Sequence, residues 1–129
     1  MPARLLIVDD HEAIRLGVRT LFASTDSVKI CGEAQNGMDA VRMVREVSPD
    51  LVILDLSMPG MNGFETAEQI RAIAPSVKIV FLSIHGVPET ARLVGADALV
   101  SKSSVLHELL LTVNRVLQAP QKSLASTNP

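Results

Sequence analysis

The sequence predicts a doubly wound α/β domain: one five-stranded parallel sheet with helices on both of its faces. Three observations carry this. Apolar runs without alternation recur at RLLIV (residues 4–8), LVIL (51–54) and KIVFL (78–82), and a strand with no polar side is one buried on both faces of a parallel sheet. Between these runs the apolar positions change to helical spacing, the alternation expected of βαβ units. Turn residues mark the changes, most densely at Pro59, Gly60, Asn62 and Gly63.

The first strand, residues 4–8, is closed by Asp9 and Asp10. From about residue 12 to 23, Ile14, Val18, Leu21 and Phe22 recur at helical spacing. Residues 28–34 form the second strand, and Cys31, set among Val28, Ile30 and Ala34, is expected to be a buried core thiol. Asn36-Gly37 is a turn signal; Met38, Val41 and Val44 then mark a second helix that ends before Pro49. The third strand is the central one: Leu51, Val52, Ile53 and Leu54 run into Asp55, and the chain turns at once. Phe64, Ala67, Ile70 and Ala74 give a third helix, stopped by Pro75. Residues 78–83 are the fourth strand, ending on Ser83. Residues 86–94 are a weaker helical stretch, with Pro88 acceptable in a first turn. Gly95-Ala96-Asp97 leads into a short fifth strand at 98–101, followed by Lys102. Leu106, Leu109, Leu110, Val113 and Leu117 line one stripe of the last helix. The domain therefore takes residues 1–118, and residues 119–129 (APQKSLASTNP), which have no period, are a linker or tail. Crossovers in such a sheet are right-handed. The pattern does not choose a strand order, although the flavodoxin-like order 2-1-3-4-5 is the common five-stranded solution.

Composition removes several function classes. A chain of 129 residues with 47% apolar content is one folded domain rather than a disordered segment. No apolar run approaches the roughly 20 residues that span a bilayer, and the N-terminus MPARLLIVDD reaches acids too soon for a secretory signal. No membrane partner is expected. A single cysteine excludes an internal disulfide and fits a reducing cytoplasm. The formal charge is −2 with no basic block, which disfavours nucleic-acid binding by this chain alone. With three Phe and no Trp or Tyr, stacking platforms for bases are not expected either.

Four strands end on polar residues: Asp9-Asp10, Asp55, Ser83 and, after Ser101, Lys102. In a parallel sheet these ends share one edge, the edge where open α/β sheets place ligands. A carboxylate at the position of Asp55 is a nucleophile, a metal ligand or both. Clustered acids repel one another, and hard oxygen donors suit Mg²⁺, which takes a few carboxylates and keeps several waters. Lys102 adds a fixed positive charge. Such a site is suited to phosphoryl transfer, in which the protein positions the group and stabilises its charge. Asp55 would attack in line, forming an acyl phosphate, while Mg²⁺, Lys102 and the Ser83 hydroxyl would each take a phosphoryl oxygen.

VDDH at residues 8–11, LDLSMPGMNG from Leu54, LS at Leu82-Ser83, GAD from Gly95 and SK at Ser101-Lys102 together resemble a bacterial response-regulator receiver domain. DDHEAIRLGVRTLF (residues 9–22) further resembles the subgroup usually followed by a LuxR-type helix-turn-helix. The likeness covers about the first 118 residues. It implies that Asp55 accepts phosphate from a sensor histidine kinase, that Asp10 holds Mg²⁺ directly and Asp9 mostly through water, and that the Ser57 backbone carbonyl is a further metal ligand. Ser83 and Lys102 would read the phosphoryl group. It also implies a homodimer as one assembly, transcriptional control through a DNA-binding domain not in this chain, and a module that promotes its own phosphorylation and dephosphorylation rather than an enzyme.

Two departures bear on output. Receivers usually place Tyr or Phe three residues before the lysine, as a rotamer switch coupled to the Thr or Ser; here that position is Leu99, and the residue it would couple to is Ser83. Ser83 and Lys102 are 19 positions apart, about one helical turn short for the family, so a shortened fourth helix, or a shortened loop into it, is expected. Weaker coupling to the face made by residues 86–94, the fifth strand and the last helix is therefore expected. One rival is a binding module whose output ignores phosphate. Another is an aspartyl-phosphate phosphatase, which typically has a second acid two residues after the nucleophile, where this chain has Ser57. Of the remaining side chains, His11 is either a proton donor near the acids or, the reading preferred here, a loop-capping residue at the helix start, with His85 near the site and His107 in solvent. Met38, Met58 and Met61 are expected in packing or turns, and Arg15 and Arg19 on a solvated helix face, with a kinase-docking edge as the alternative.

Overall fold

Neighbouring side chains of a strand point to opposite faces, so a run that is apolar at every position supplies two cores at once. The computed structural model describes residues 2–58, 60–83, 97–101 and 105–118, with the backbone alone for residues 99, 101 and 105–107. In chain order the elements are β1 (Ala3–Val8), α1 (Glu12–Ala23), β2 (Val28–Ala34), α2 (Gly37–Val47), β3 (Leu51–Asp55), α3 (Gly63–Ile73), β4 (Lys78–Ser83), β5 (Ala98–Ser101) and a last helix, α4 (Val105–Gln118). The sheet order is β2-β1-β3-β4-β5 with every pairing parallel. The expected helix at 86–94, Lys102 and the 119–129 tail lie outside the described residues. Among the described residues no helix is long and apolar enough to cross a membrane.

The two cores follow from the runs. Leu6, Val8, Val52, Leu54, Ile79 and Phe81 face α2 and α3, meeting Ala40, Val44, Ala67 and Ile70. Leu5, Ile7, Leu51, Ile53, Val80 and Leu82 face the other way, onto Val18 and Phe22 of α1 and Leu109 and Val113 of α4. Each fully buried aliphatic side chain stabilises the fold by about 1.5–3 kcal/mol, and β3, central and fully buried, is held from both sides. Phe64 meets Phe81 edge to face at 5.4 Å.

The edge strand β2 is less enclosed, which corrects the expectation for Cys31. Leu5 pairs with Ile30 but Leu6 with Gly32, so Cys31 is the extra residue of a β-bulge. It is half-buried, not a core thiol. Burial still pushes the thiol pKa up, which makes it a poor nucleophile. Arg15 and Arg19 are also not simply solvated. Arg15 Nε donates to Glu33 Oε1 at 3.0 Å and Arg19 Nη1 to Glu33 Oε2 at 2.5 Å, fastening α1 to β2. Met58 is buried as expected, whereas Met38 is largely exposed.

A second tie closes the far side of the sheet. Arg71 Nη2 at the end of α3 donates to Asp97 Oδ2 at 2.8 Å, and the same oxygen accepts from Ile79 N at 2.8 Å. Asp97 N donates to Ile79 O at 2.8 Å, so one acid joins α3 to the starts of β4 and β5.

α2 ends on Ser48, the one non-glycine residue with positive φ (49°) among the described residues. A Cβ in that left-handed region is strained, and glycine is the usual occupant. Ser48→Gly is therefore expected to stabilise the domain by about 0.5–1 kcal/mol, read as a higher urea midpoint at unchanged slope. A lower midpoint would show that the serine side chain contributes more than its backbone costs.

Candidate functional site

Strand register builds the site. Val8 pairs with Leu54 across β1 and β3, so Asp9 and Asp55, the next residues on each strand, end level with one another. Asp55 in turn pairs with Leu82 of β4, which sets Ser83 one residue beyond it. Ser83 pairs with Ser101 of β5. The expected convergence at the carboxyl edge is thus present for Asp9, Asp10, Asp55 and Ser83. Lys102 lies outside the described residues, and of Leu99 only the backbone is described, paired with Phe81.

Asp9 and Asp55 are fully buried, and Ser83 is nearly so. Asp10 keeps 26% exposure, at the mouth. One carboxylate oxygen from each of Asp9, Asp10 and Asp55, with a ring nitrogen of His11, lies within 4.8 Å of the others. Two like charges at that separation repel by roughly 3 kcal/mol at an effective dielectric constant of about 20. Buried acids held this close need positive charge nearby. Three hard oxygen donors within reach of one point are the donor set of a small divalent cation, so the residues present fit Mg²⁺.

Local bonds hold the acids in place. Asp55 Oδ1 accepts from Ser57 N at 3.0 Å, which fixes the rotation of the carboxylate. Asp9 Oδ1 accepts from His11 N at 2.9 Å, and Asp9 N donates to Ala34 O at 3.1 Å. Arg15 Nη1 donates to the Asp9 carbonyl at 2.6 Å, so the arginine that grips Glu33 also anchors the end of β1. Behind Asp55, the start of α3 presses close: Gly63 N donates to Leu56 O at 3.3 Å, and Asn62 with Glu65 forms a reciprocal cap at 3.1 and 2.9 Å. Sequence reasoning missed the Arg15 anchor, since nothing in the pattern ties residue 15 to the carbonyl of residue 9. His11 is at the helix start as expected, but its ring lies on the acids, 3.1 Å from both Asp9 Oδ1 and Asp10 Oδ1.

A parallel α/β sheet with acids from two adjacent central strands meeting at its carboxyl edge defines a flavodoxin-like domain with a cation-type acidic site. The chain belongs to the response regulator receiver domain family, which it matches over residues 5–114. It is 42% identical over 60 residues to the nitrate/nitrite response regulator protein NarL of Escherichia coli K12, a match covering 46% of this chain and 28% of NarL. It is 39% identical over 133 residues to a candidate transcriptional regulator of Pseudomonas aeruginosa, covering 98% of this chain and 64% of that protein. Less than two thirds of either relative is covered. A two-component response regulator of the LuxR family from Aurantimonas sp. SI85-9A1 has a TM-score of 0.87 at 31% identity, covering 94% of this chain and 89% of the other.

Proposed function

We propose that this receiver is the phosphoacceptor module of a two-component system, phosphorylated on Asp55 by a sensor histidine kinase with Mg²⁺. The observation that carries it is the burial of Asp55 at the end of the central strand, with oxygens of Asp9 and Asp10 within 4.8 Å. An Asp55 oxygen attacks phosphorus in line; the bond from phosphorus to the donor nitrogen breaks, its electron pair stays on the imidazole, and an acyl phosphate forms. Asp9, Asp10, Asp55 and the Ser57 carbonyl would hold Mg²⁺, which when bound supplies charge neutralisation for the phosphoryl oxygens. Ser83 and Lys102 would take two of those oxygens. Residues 1–118 form the receiver, a cytoplasmic one, and 119–129 a linker or C-terminal tail. The transcriptional name of the Pseudomonas aeruginosa relative supports an output through an attached DNA-binding domain, with a homodimer as one assembly.

Leu99 favours a second reading, a receiver whose protein-binding output ignores phosphate, because the aromatic rotamer switch is missing. The test uses a small acyl-phosphate donor and the intact mass of the protein. Uptake of one phosphoryl group with Mg²⁺, lost when the cation is chelated, is the expected result. No uptake at saturating Mg²⁺ would leave the phosphate-independent reading in its place. Catalytic turnover of a simple phosphate ester would point instead to a phosphatase.

A further inference from the structure

The geometry points to His11 as a nitrogen donor that strengthens the preference of this acidic site for the later first-row divalent cations, Co²⁺ through Zn²⁺, over Mg²⁺. The inference rests on Asp9, Asp10 and Asp55 forming a cation site. His11 occupies the N-cap of α1, where Ser, Thr, Asp or Asn ordinarily bonds the first turn, yet its side chain makes no capping bond among the described residues. The ring is turned to the acids instead. Nδ1 stands 3.1 Å from Asp9 Oδ1 and 3.1 Å from Asp10 Oδ1. The main chain at His11 is held as well, since His11 N donates to the same Asp9 oxygen at 2.9 Å.

The donor set is therefore mixed: three carboxylates and an imidazole, with ligand atoms within 4.8 Å of one another. Mg²⁺ takes oxygen and water and gains little from such a ring. Imidazole suits the later first-row ions, whose affinities rise towards Ni²⁺ and Cu²⁺. Carboxylates alone would also favour those ions, so the quantity that isolates His11 is the change in selectivity when the ring is removed. The ring is 61% exposed, so its replacement leaves the core untouched.

The experiment uses the full chain without a polyhistidine tag, titrated calorimetrically at one fixed pH with Mg²⁺, Co²⁺ and Ni²⁺ separately. The visible absorption of bound Co²⁺ is recorded in parallel. His11→Ala is expected to weaken Ni²⁺ and Co²⁺ at least about tenfold and to change the Co²⁺ spectrum, while Mg²⁺ affinity moves less than about twofold. His107→Ala, on the last helix, should leave all three unchanged. Equal losses for Mg²⁺ and Ni²⁺, or no loss for either, would overturn the role of His11 while leaving the acidic site standing. A wild-type protein that binds none of the three cations would overturn the cation site itself, and this inference with it.

Discussion

Asp55→Asn is expected to abolish phosphoryl uptake from a small acyl-phosphate donor while leaving the domain folded, with stability changed by no more than about 1 kcal/mol. The side chain is fully buried, so a replacement must preserve both volume and bonding. Asparagine does both: its oxygen can still accept from Ser57 N, the 3.0 Å bond that sets the rotation of the native carboxylate. It lacks the anionic oxygen proposed to attack phosphorus. Asp10→Asn should behave differently. Asp10 sits at the mouth, partly exposed, as an expected cation ligand rather than the nucleophile. Uptake should survive but require about 10–100-fold more Mg²⁺. Intact mass across a Mg²⁺ series separates the two roles. Phosphorylation of Asp55→Asn at the wild-type rate would place the acceptor elsewhere; an unchanged Mg²⁺ requirement in Asp10→Asn would remove residue 10 from the cation site.

The sheet was readable because its strands are buried on both faces. Leu51, Val52, Ile53 and Leu54 have no polar partner position, and the structure shows why: alternate members feed the α1/α4 core and the α2/α3 core. The acids were readable for a related reason, since a polar residue that ends a two-sided apolar run sits at the strand terminus. What stayed hidden depends on contacts between distant residues. Asp97 looked like part of a turn, and only the fold brings Arg71, 26 positions away, onto it. Cys31 looked like core because its neighbours are apolar; the bulge that offsets it is a matter of pairing register, which one strand does not encode. His11 looked like a helix-start residue, and the direction of its ring is set by the acids beside it.

Gly63 is the other position where a distant contact decides the outcome, and Gly63→Ala is expected to destabilise the domain by about 2 kcal/mol. By helix propensity alone the change should help, because alanine exceeds glycine by about 1 kcal/mol inside a helix. Here a Cβ would lie 2.5 Å from the Asp55 carbonyl oxygen and 2.6 Å from Leu56 Cα. Both are backbone atoms of the strand end that carries the proposed acceptor, so no flexible side chain can yield. Relief requires α3 to back away from β3. That movement strains the Gly63 N bond to Leu56 O and the Asn62–Glu65 cap, and it shifts the turn that aligns the Asp55 carboxylate. Displacement of a reacting group by about 1 Å can cost on the order of a hundredfold in rate. The urea midpoint should therefore fall and phosphoryl uptake should slow together, whereas Glu68→Ala on the exposed side of α3 should alter neither. A midpoint at or above wild type for Gly63→Ala would show that α3 can move off the strand end freely, and that its close approach does not hold Asp55 in place.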